Sequence, residues 1–214
     1  MFDAASNEYG SVAAPADILV TSRTVELWAR FRKLPASTQP FFSLGAANYY
    51  FGFTTDSMIA SYTDSSAVQR TAFSNNLQWR PNSWDHYAIT VETSGNDVIR
   101  TFYKNGVQFG TATNSTGHGT AYGATLYTGV FTPGSLNLDG YIANMGFYGR
   151  ALTAAEVLRR ARNLPVTSGQ LHRWLMSEGS GATAADSVGS ANFALANTPT
   201  WLSGVVPMKS RSAA

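Results

Sequence analysis

The sequence predicts an all-β protein: a two-sheet antiparallel sandwich with one short helix near residues 153–163. Three observations carry this. Charged residues make up only 13% of the 214, while Gly, Ser, Thr, Asn and aromatics are plentiful, which suits short strands joined by many turns. About a dozen short runs read as strands with turn residues between them. A single stretch near the end, "ALTAAEVLRRARNLP", has helical spacing. Twisted sheets that each bury one face must stack, so such a chain closes into a sandwich, and its length is enough for a substantial core.

The elements follow in order. In "TVELWARF", Val25, Leu27, Ala29 and Phe31 point one way and Glu26, Trp28 and Arg30 the other, so one face is expected in the core. "PFFSLGA", "YYFGFTT", "MIASYT", "QRTAFS", "HYAITVE", "VIRTFYKNG", "VQFGTAT", "ATLYTGV" and "GYIANMGFYG" continue an antiparallel meander. In "ETSGNDV" a Gly-Asn tip divides two β-branched runs, and in "FYKNGVQF" Asn105 and Gly106 suit a type I′ hairpin. For the helix, Thr153 is the expected cap and Glu156 completes a capping box. Val157, Leu158 and Ala161 form the apolar stripe, and Pro165 follows the stop. Arg159, Arg160 and Arg162 read as its solvated side.

Composition excludes several classes. There is no cysteine, hence no disulfide framework and no thiolate metal site. A net charge of +2 without a Lys/Arg run gives no nucleic-acid footprint. No apolar run reaches membrane-spanning length and the start lacks a basic region followed by an apolar one, so neither membrane insertion nor export is expected.

Five pieces in order resemble the laminin G-like, concanavalin A-like jelly-roll lectin family over roughly residues 2 to 162: "TVELWARF", "WDHYAITVE" with its structural Trp84, "YKNGV", "DGYIANMGFYG" and "RALTAAEV". Asn144 departs from the acidic residue common after the "Gly-x-Ile" step, which weakens a metal site there. Family members open with a segment similar to "RWLMSEGSGATAADS" and "TWLSG", followed by one similar to "FDAASNEYGSV". Here the first stands at the carboxyl end and the second at the amino end. The resemblance therefore implies one circularly permuted domain over 1–214, with 170–204 supplying the first-strand segment; a truncated second domain is the rival reading. Under permutation Leu171, Trp174 and Leu175 should be buried, with "LHRWLMSE" beside "EYGSVAA" in the same chain.

Chemistry is sparse. A glycan hydrolase on this fold would carry two or three carboxylates at alternate positions of one strand, and no Glu-x-Asp-x-x-Glu run exists. His86, His118 and His172 lack metal-ligand spacing, "GSG" at 179–181 is no nucleophile elbow, and no P-loop or dinucleotide fingerprint occurs. No catalysis is expected and no cofactor is required. Calcium is the one candidate, because the resemblance implies loop-oxygen sites and the permutation would gather Asp3, Asn7, Glu178 and Asp186.

Sugar recognition needs an aromatic plane for the apolar ring face and planar amides or guanidinium groups for paired hydroxyls, converging on loops. "SNNLQWRPNSW" supplies Asn75, Asn76, Gln78, Trp79 and Arg80. The plainer reading of Trp79, a ring covering the core edge, stands beside this one, and Trp28 is expected to pack under the late segment. Two settings follow. The first is a bacteriophage virion surface protein, a capsid decoration or tail-fibre module made in the host cytoplasm, with other virion proteins and host glycans as partners and lattice contacts between subunits. The second is an extracellular carbohydrate-binding module of a larger bacterial enzyme or adhesin.

Overall fold

The computed structural model describes residues 6–18, 20–44, 49–77, 80–119 and 122–202. The first half of the chain forms β1 (Tyr9–Ala13), a 3-10 turn at Ala16–Ile18, β2 (Arg23–Phe31), β3 (Gln39–Ser43), β4 (Tyr50–Phe53), β5 (Met58–Thr63), β6 (Gln69–Phe73), β7 (Asp85–Ser94) and β8 (Asp97–Lys104). Then come β9 (Val107–Asn114), β10 (Thr125–Thr128), β11 (Val130–Thr132), β12 (Ser135–Asn137), β13 (Gly140–Tyr148), α1 (Ala154–Ala161), β14 (Gln170–Trp174), β15 (Thr183–Ala184) and β16 (Phe193–Ala196).

Two large antiparallel sheets make the sandwich. One runs β15-β16-β1-β10-β3-β4-β5-β6 and the other β14-β13-β2-β7-β8-β9, with β11-β12 as a small ribbon. The core between them is aromatic. Phe31 meets Phe53 edge-on at 4.6 Å, and Phe41 meets Phe51 at 4.2 Å. Fully burying each such ring stabilises by about 1.5–3 kcal/mol.

The expected hairpin at Asn105 and Gly106 forms with φ of 53° and 81°, the left-handed values that a type I′ turn demands. A Cβ on Gly106 would come within 2.8 Å of the Leu158 Cα on α1, so the hairpin tip and the helix are packed together. The helix has the expected cap: Thr153 accepts from the Glu156 backbone and the Glu156 side chain accepts from the Thr153 backbone.

The face of β2 turned away from the apolar stripe is buried too, as expected for Trp28: Glu26 and Trp28 are both buried, and a second cluster of Ala88, Tyr103, Tyr148, Leu152, Val157 and Val166, to which α1 contributes, forms outside the main core. Trp28 lies there edge-on to His86 at 5.6 Å. Arg160, expected in solvent, is also buried. Helical spacing sets it three residues from Val157 and beside Ala161, on the side that faces the sheet, where its Nε lies 2.9 Å from Glu26 Oε1.

The late segment differs too. "LHRWLMSE" lies beside β13, with Met145 opposite Trp174 and Phe147 opposite His172, rather than beside the amino-terminal strand. The neighbour of β1 is β16, with Tyr9 opposite Ala196 and Ser11 opposite Ala194. The reason is that this segment contains strands on both sides of a turn and serves both sheets. Trp174 is buried where they meet, stacks at an angle on Phe193 at 4.7 Å and donates from Nε1 to the Ala191 carbonyl at 2.6 Å. Leu171 and Leu175 are half-buried rather than buried.

Candidate functional site

β6 and β9 are the free edges of the two sheets at one side of the sandwich, and they approach each other there. A Cβ on Gly110 of β9 would lie 3.0 Å from the Ser74 Cα and 3.2 Å from the Asn75 nitrogen, so a larger residue there would press the two edges apart by a few tenths of an ångström. The loop leaving β6 starts at this seam. Ser74 holds its beginning by accepting from Met58 N and donating to Asn75 O, both at 2.9 Å. Leu77 holds it again by burying its side chain and donating from its backbone to Asp56 O at 2.6 Å. Asn75 and Asn76, between the two anchors, are exposed.

Arg80 is fixed at its head. One terminal nitrogen lies 2.6 Å from Asp85 Oδ1, while 59% of the side chain stays open to solvent. Asp85 is buried and also accepts from Asn105 Nδ2 at 2.7 Å, with Lys104 Nζ 3.3 Å away. A guanidinium held through one nitrogen keeps the rest of its fork available. Gln78 and Trp79 lie outside the described residues.

One residue here was missed by the sequence reading. Phe73, at the end of β6, is 55% exposed. The signal was the period-two alternation of β6, in which Gln69, Thr71 and Phe73 share the open side while Ala72 is buried; an aromatic in an otherwise polar row on an edge strand is the anomaly. The exposed set that the fold presents is therefore Phe73, Asn75, Asn76 and Arg80: a ring face, two amides and an anchored guanidinium.

Of the four residues considered for calcium, Asn7, Glu178 and Asp186 are described, and each has hydrogen-bond partners within the protein. Asp186 is surrounded by donors. Its Oδ1 accepts from the backbones of Arg173, Val188 and Gly189 at 3.0–3.1 Å, and its Oδ2 accepts from Ala191 N at 3.1 Å and faces His172 Nδ1 at 2.6 Å. Burial pushes its carboxyl up, but these donors outweigh that and hold it below the usual carboxylate range. Asn7 accepts from Gly134 N, and Glu178 accepts from Ala185 N. Asp3 lies outside the described residues, and among the described residues no group of three or more His, Asp or Glu is placed to share a metal ion.

The ionisable clusters elsewhere read as fasteners. His172 sits between Asp186 and Asp17, whose Oδ1 is 2.9 Å from Nε2, and so ties β14 to the 3-10 turn with both ring nitrogens engaged. Glu26 faces His86 Nε2 at 2.8 Å as well as Arg160. Burial raises its carboxyl, and the hydrogen bond from His86 with the Arg160 charge more than reverses this. Asp64 pairs with Arg70, Asp139 with Arg32 and Lys33, and Glu156 with Arg150. Phe73, Asn75 and Asn76 stand exposed outside these pairings, and Arg80 enters them only through Asp85.

Comparisons agree with this architecture. No curated protein matches the chain. Among solved structures, a Bacteroides ovatus protein described as a candidate carbohydrate-binding protein superposes with a TM-score of 0.69 at 16% identity, over 91% of this chain and 56% of its own. The CBM40 of the Ruminococcus gnavus IT-sialidase, bound to α2,3-sialyllactose, does so with 0.58 at 11% identity, over 72% of this chain and 93% of its own. The receptor-binding domain of botulinum neurotoxin C/D mosaic serotype gives 0.58 at 12%, over 72% and 40%. These likenesses concern the fold. A family profile, Laminin_G_3, matches residues 5–158, a span that runs from before β1 into α1 and includes the Phe73 to Arg80 rim. With the two-sheet jelly roll and that match together, the chain belongs to the concanavalin A-like lectin/glucanases superfamily.

Proposed function

We propose that this protein is a non-catalytic glycan-binding protein whose contact surface is the rim carrying Phe73, Asn75, Asn76 and Arg80, with Gln78 and Trp79 in the same loop. The observation that carries this reading is Phe73, an exposed aromatic ring at the end of an edge strand, followed after buried Ser74 by two exposed amides on an anchored loop. A ring face suits the apolar side of a pyranose, and amide and guanidinium groups suit its vicinal hydroxyls. The carboxylate pairings support a non-catalytic role, since a glycosidase needs two carboxyl groups on either side of the scissile bond, whereas Glu26, Asp64, Asp85, Asp139, Glu156 and Asp186 are each matched to a cation or a histidine.

Of the two settings, an extracellular carbohydrate-binding module of a larger bacterial enzyme or adhesin is supported by the company of the fold, which includes the CBM40 bound to sialyllactose. The chain spans 56% of the Bacteroides ovatus protein, so any whole-protein activity is part of the proposal. A bacteriophage virion surface role rests on composition alone: no cysteine and few charges. Mass spectrometry of purified particles separates them, because absence from every particle fraction removes the virion setting. A glycan array probed with the intact chain tests the binding itself.

We also propose that residues 170–204 are the relocated opening of the fold. Its support is that β14 and β16 occupy edge or near-edge places that the amino-terminal match does not fill.

A further inference from the structure

Two arginines point into the space between the sheets and neither meets a carboxylate. Arg23 on β2 is 0% exposed and Arg100 on β8 is 2% exposed. Of the thirteen acidic residues, all but Asp3 are described, and none pairs with either. Arg100 donates from Nη1 to the carbonyls of Ala60 and Arg70, both at 3.2 Å, and from Nη2 to Asn114 Oδ1; its Nε has no partner. Arg23 donates to the Tyr122 hydroxyl at 3.5 Å and to His118 Nε2, and its Nε is likewise unpartnered.

Aromatic faces link the two. The Arg23 guanidinium carbon lies 4.1 Å over the Tyr49 ring, the Arg100 carbon lies 4.9 Å over the Tyr62 ring, and Tyr62 stacks on His118 at 4.8 Å. The Tyr62 hydroxyl is buried without a partner. Beside it is a cavity of about 10 Å³ lined by Arg100, Tyr62, Tyr49, Tyr50, Ser61 and apolar side chains.

Guanidinium does not give up its proton in proteins, so two fixed positive charges are held where ring quadrupoles and neutral backbone and side-chain acceptors answer them, and no carboxylate does. An uncompensated buried charge is strongly unfavourable. A cavity of this size admits one water or one ion of similar dimensions. Water could accept the free N–H but would leave the charge unanswered.

We infer that the cavity beside Arg100 and Tyr62 is a buried binding site for a small monovalent anion, chloride by size and charge, which accepts from the Arg100 Nε–H and the Tyr62 hydroxyl and offsets the Arg23 and Arg100 charges. This site lies inside the sandwich and is independent of the glycan-binding rim. The ion acts as a structural counter-charge inside the sandwich.

The test is thermal unfolding of the full chain in sodium chloride against sodium gluconate at matched ionic strength, with Tyr62→Phe and Arg100→Met alongside. Chloride that binds the folded state raises Tm with its logarithm above Kd, by about 2–4 °C once it exceeds Kd roughly fivefold, and gluconate, too large for the cavity, does not. Tyr62→Phe, which keeps the ring and removes one donor, should fold and weaken the chloride response several-fold; Arg100→Met should abolish it. Crystals grown in bromide should show an anomalous peak between Arg100 and Tyr62. Equal Tm in both salts, a Tyr62→Phe response equal to wild type, or a cavity holding only water in bromide overturns the inference; should Arg100→Met fail to fold, Tyr62→Phe and the bromide map still decide.

Discussion

Arg160 on α1 places its Nε 2.9 Å from Oε1 of Glu26 on β2, and both side chains are 1% exposed. The helix is thus fastened to the outer face of the sheet through a charge pair, with His86 on the second carboxylate oxygen. Arg160→Met should cost about 3–5 kcal/mol, since it leaves Glu26 charged and buried. Glu26→Leu with Arg160→Met should recover most of that, measured by urea unfolding. Because Glu26 titrates below its unfolded value in the folded protein, its stabilisation is present above the unfolded carboxylate range, near pH 4.3, and is lost as pH falls through the folded value. The double variant should lose this acid sensitivity.

His118 gives a second pH signature in a different window. Burial and then the Arg23 charge lower its imidazole from 6.5 to about 4, and its Nδ1 donates to Gly119 O at 2.6 Å, which leaves Nε2 to accept from Arg23. The unfolded chain takes up this proton near pH 6.5 while the folded one resists until about 4. Stability should therefore fall as pH drops from 6.5 to 4 and then stop falling on this account. His118→Gln keeps an acceptor for Arg23, and its urea midpoints at pH 7, 5.5 and 4 should lack that slope.

Trp174 joins the late segment to both sheets through its place in β14, its contact with Phe193 and its bond to Ala191. Trp174→Ala should cost about 3–5 kcal/mol in denaturant unfolding. Removing residues 170–214 takes β14 from β13 and β16 from β1, exposing two edges, and should yield an aggregating product. A truncated chain that stays soluble, monomeric and equally heat-resistant would show that the segment is an appendage.

Much of this fold was legible because period and turn chemistry agree along the chain. "TVELWARF" alternates as β2 does, Asn105 and Gly106 announce their turn, and Thr153 with Glu156 announces the helix start. What failed was anything set by a second layer. Reading Arg160 as solvated weighed its charge above its position beside Val157 and Ala161, on the helix face that meets the sheet. The partner of "LHRWLMSE" was misplaced because burial of Trp174 is compatible with either sheet, and only pairing decides. In the candidate site, Asn75 and Asn76 were singled out by their loop composition and are exposed, Arg80 is tethered to Asp85, and exposed Phe73 was passed over as an ordinary strand residue.

If the rim binds sugar, losing a stacking face should be felt more than losing one hydrogen bond. Phe73→Ala and Trp79→Ala should each weaken binding about tenfold or more, or ~1.4 kcal/mol. Arg80→Ala should also shift the urea midpoint, because it frees buried Asp85 from one partner.

Calorimetric titration of the intact chain and of Phe73→Ala with the best hit from a glycan array tests the central claim most directly. The account predicts saturable binding by the wild type and a loss of about tenfold in Phe73→Ala, with an unchanged unfolding midpoint because Phe73 is 55% exposed and outside the core. Absence of binding across the array, or equal affinity in Phe73→Ala, would contradict it.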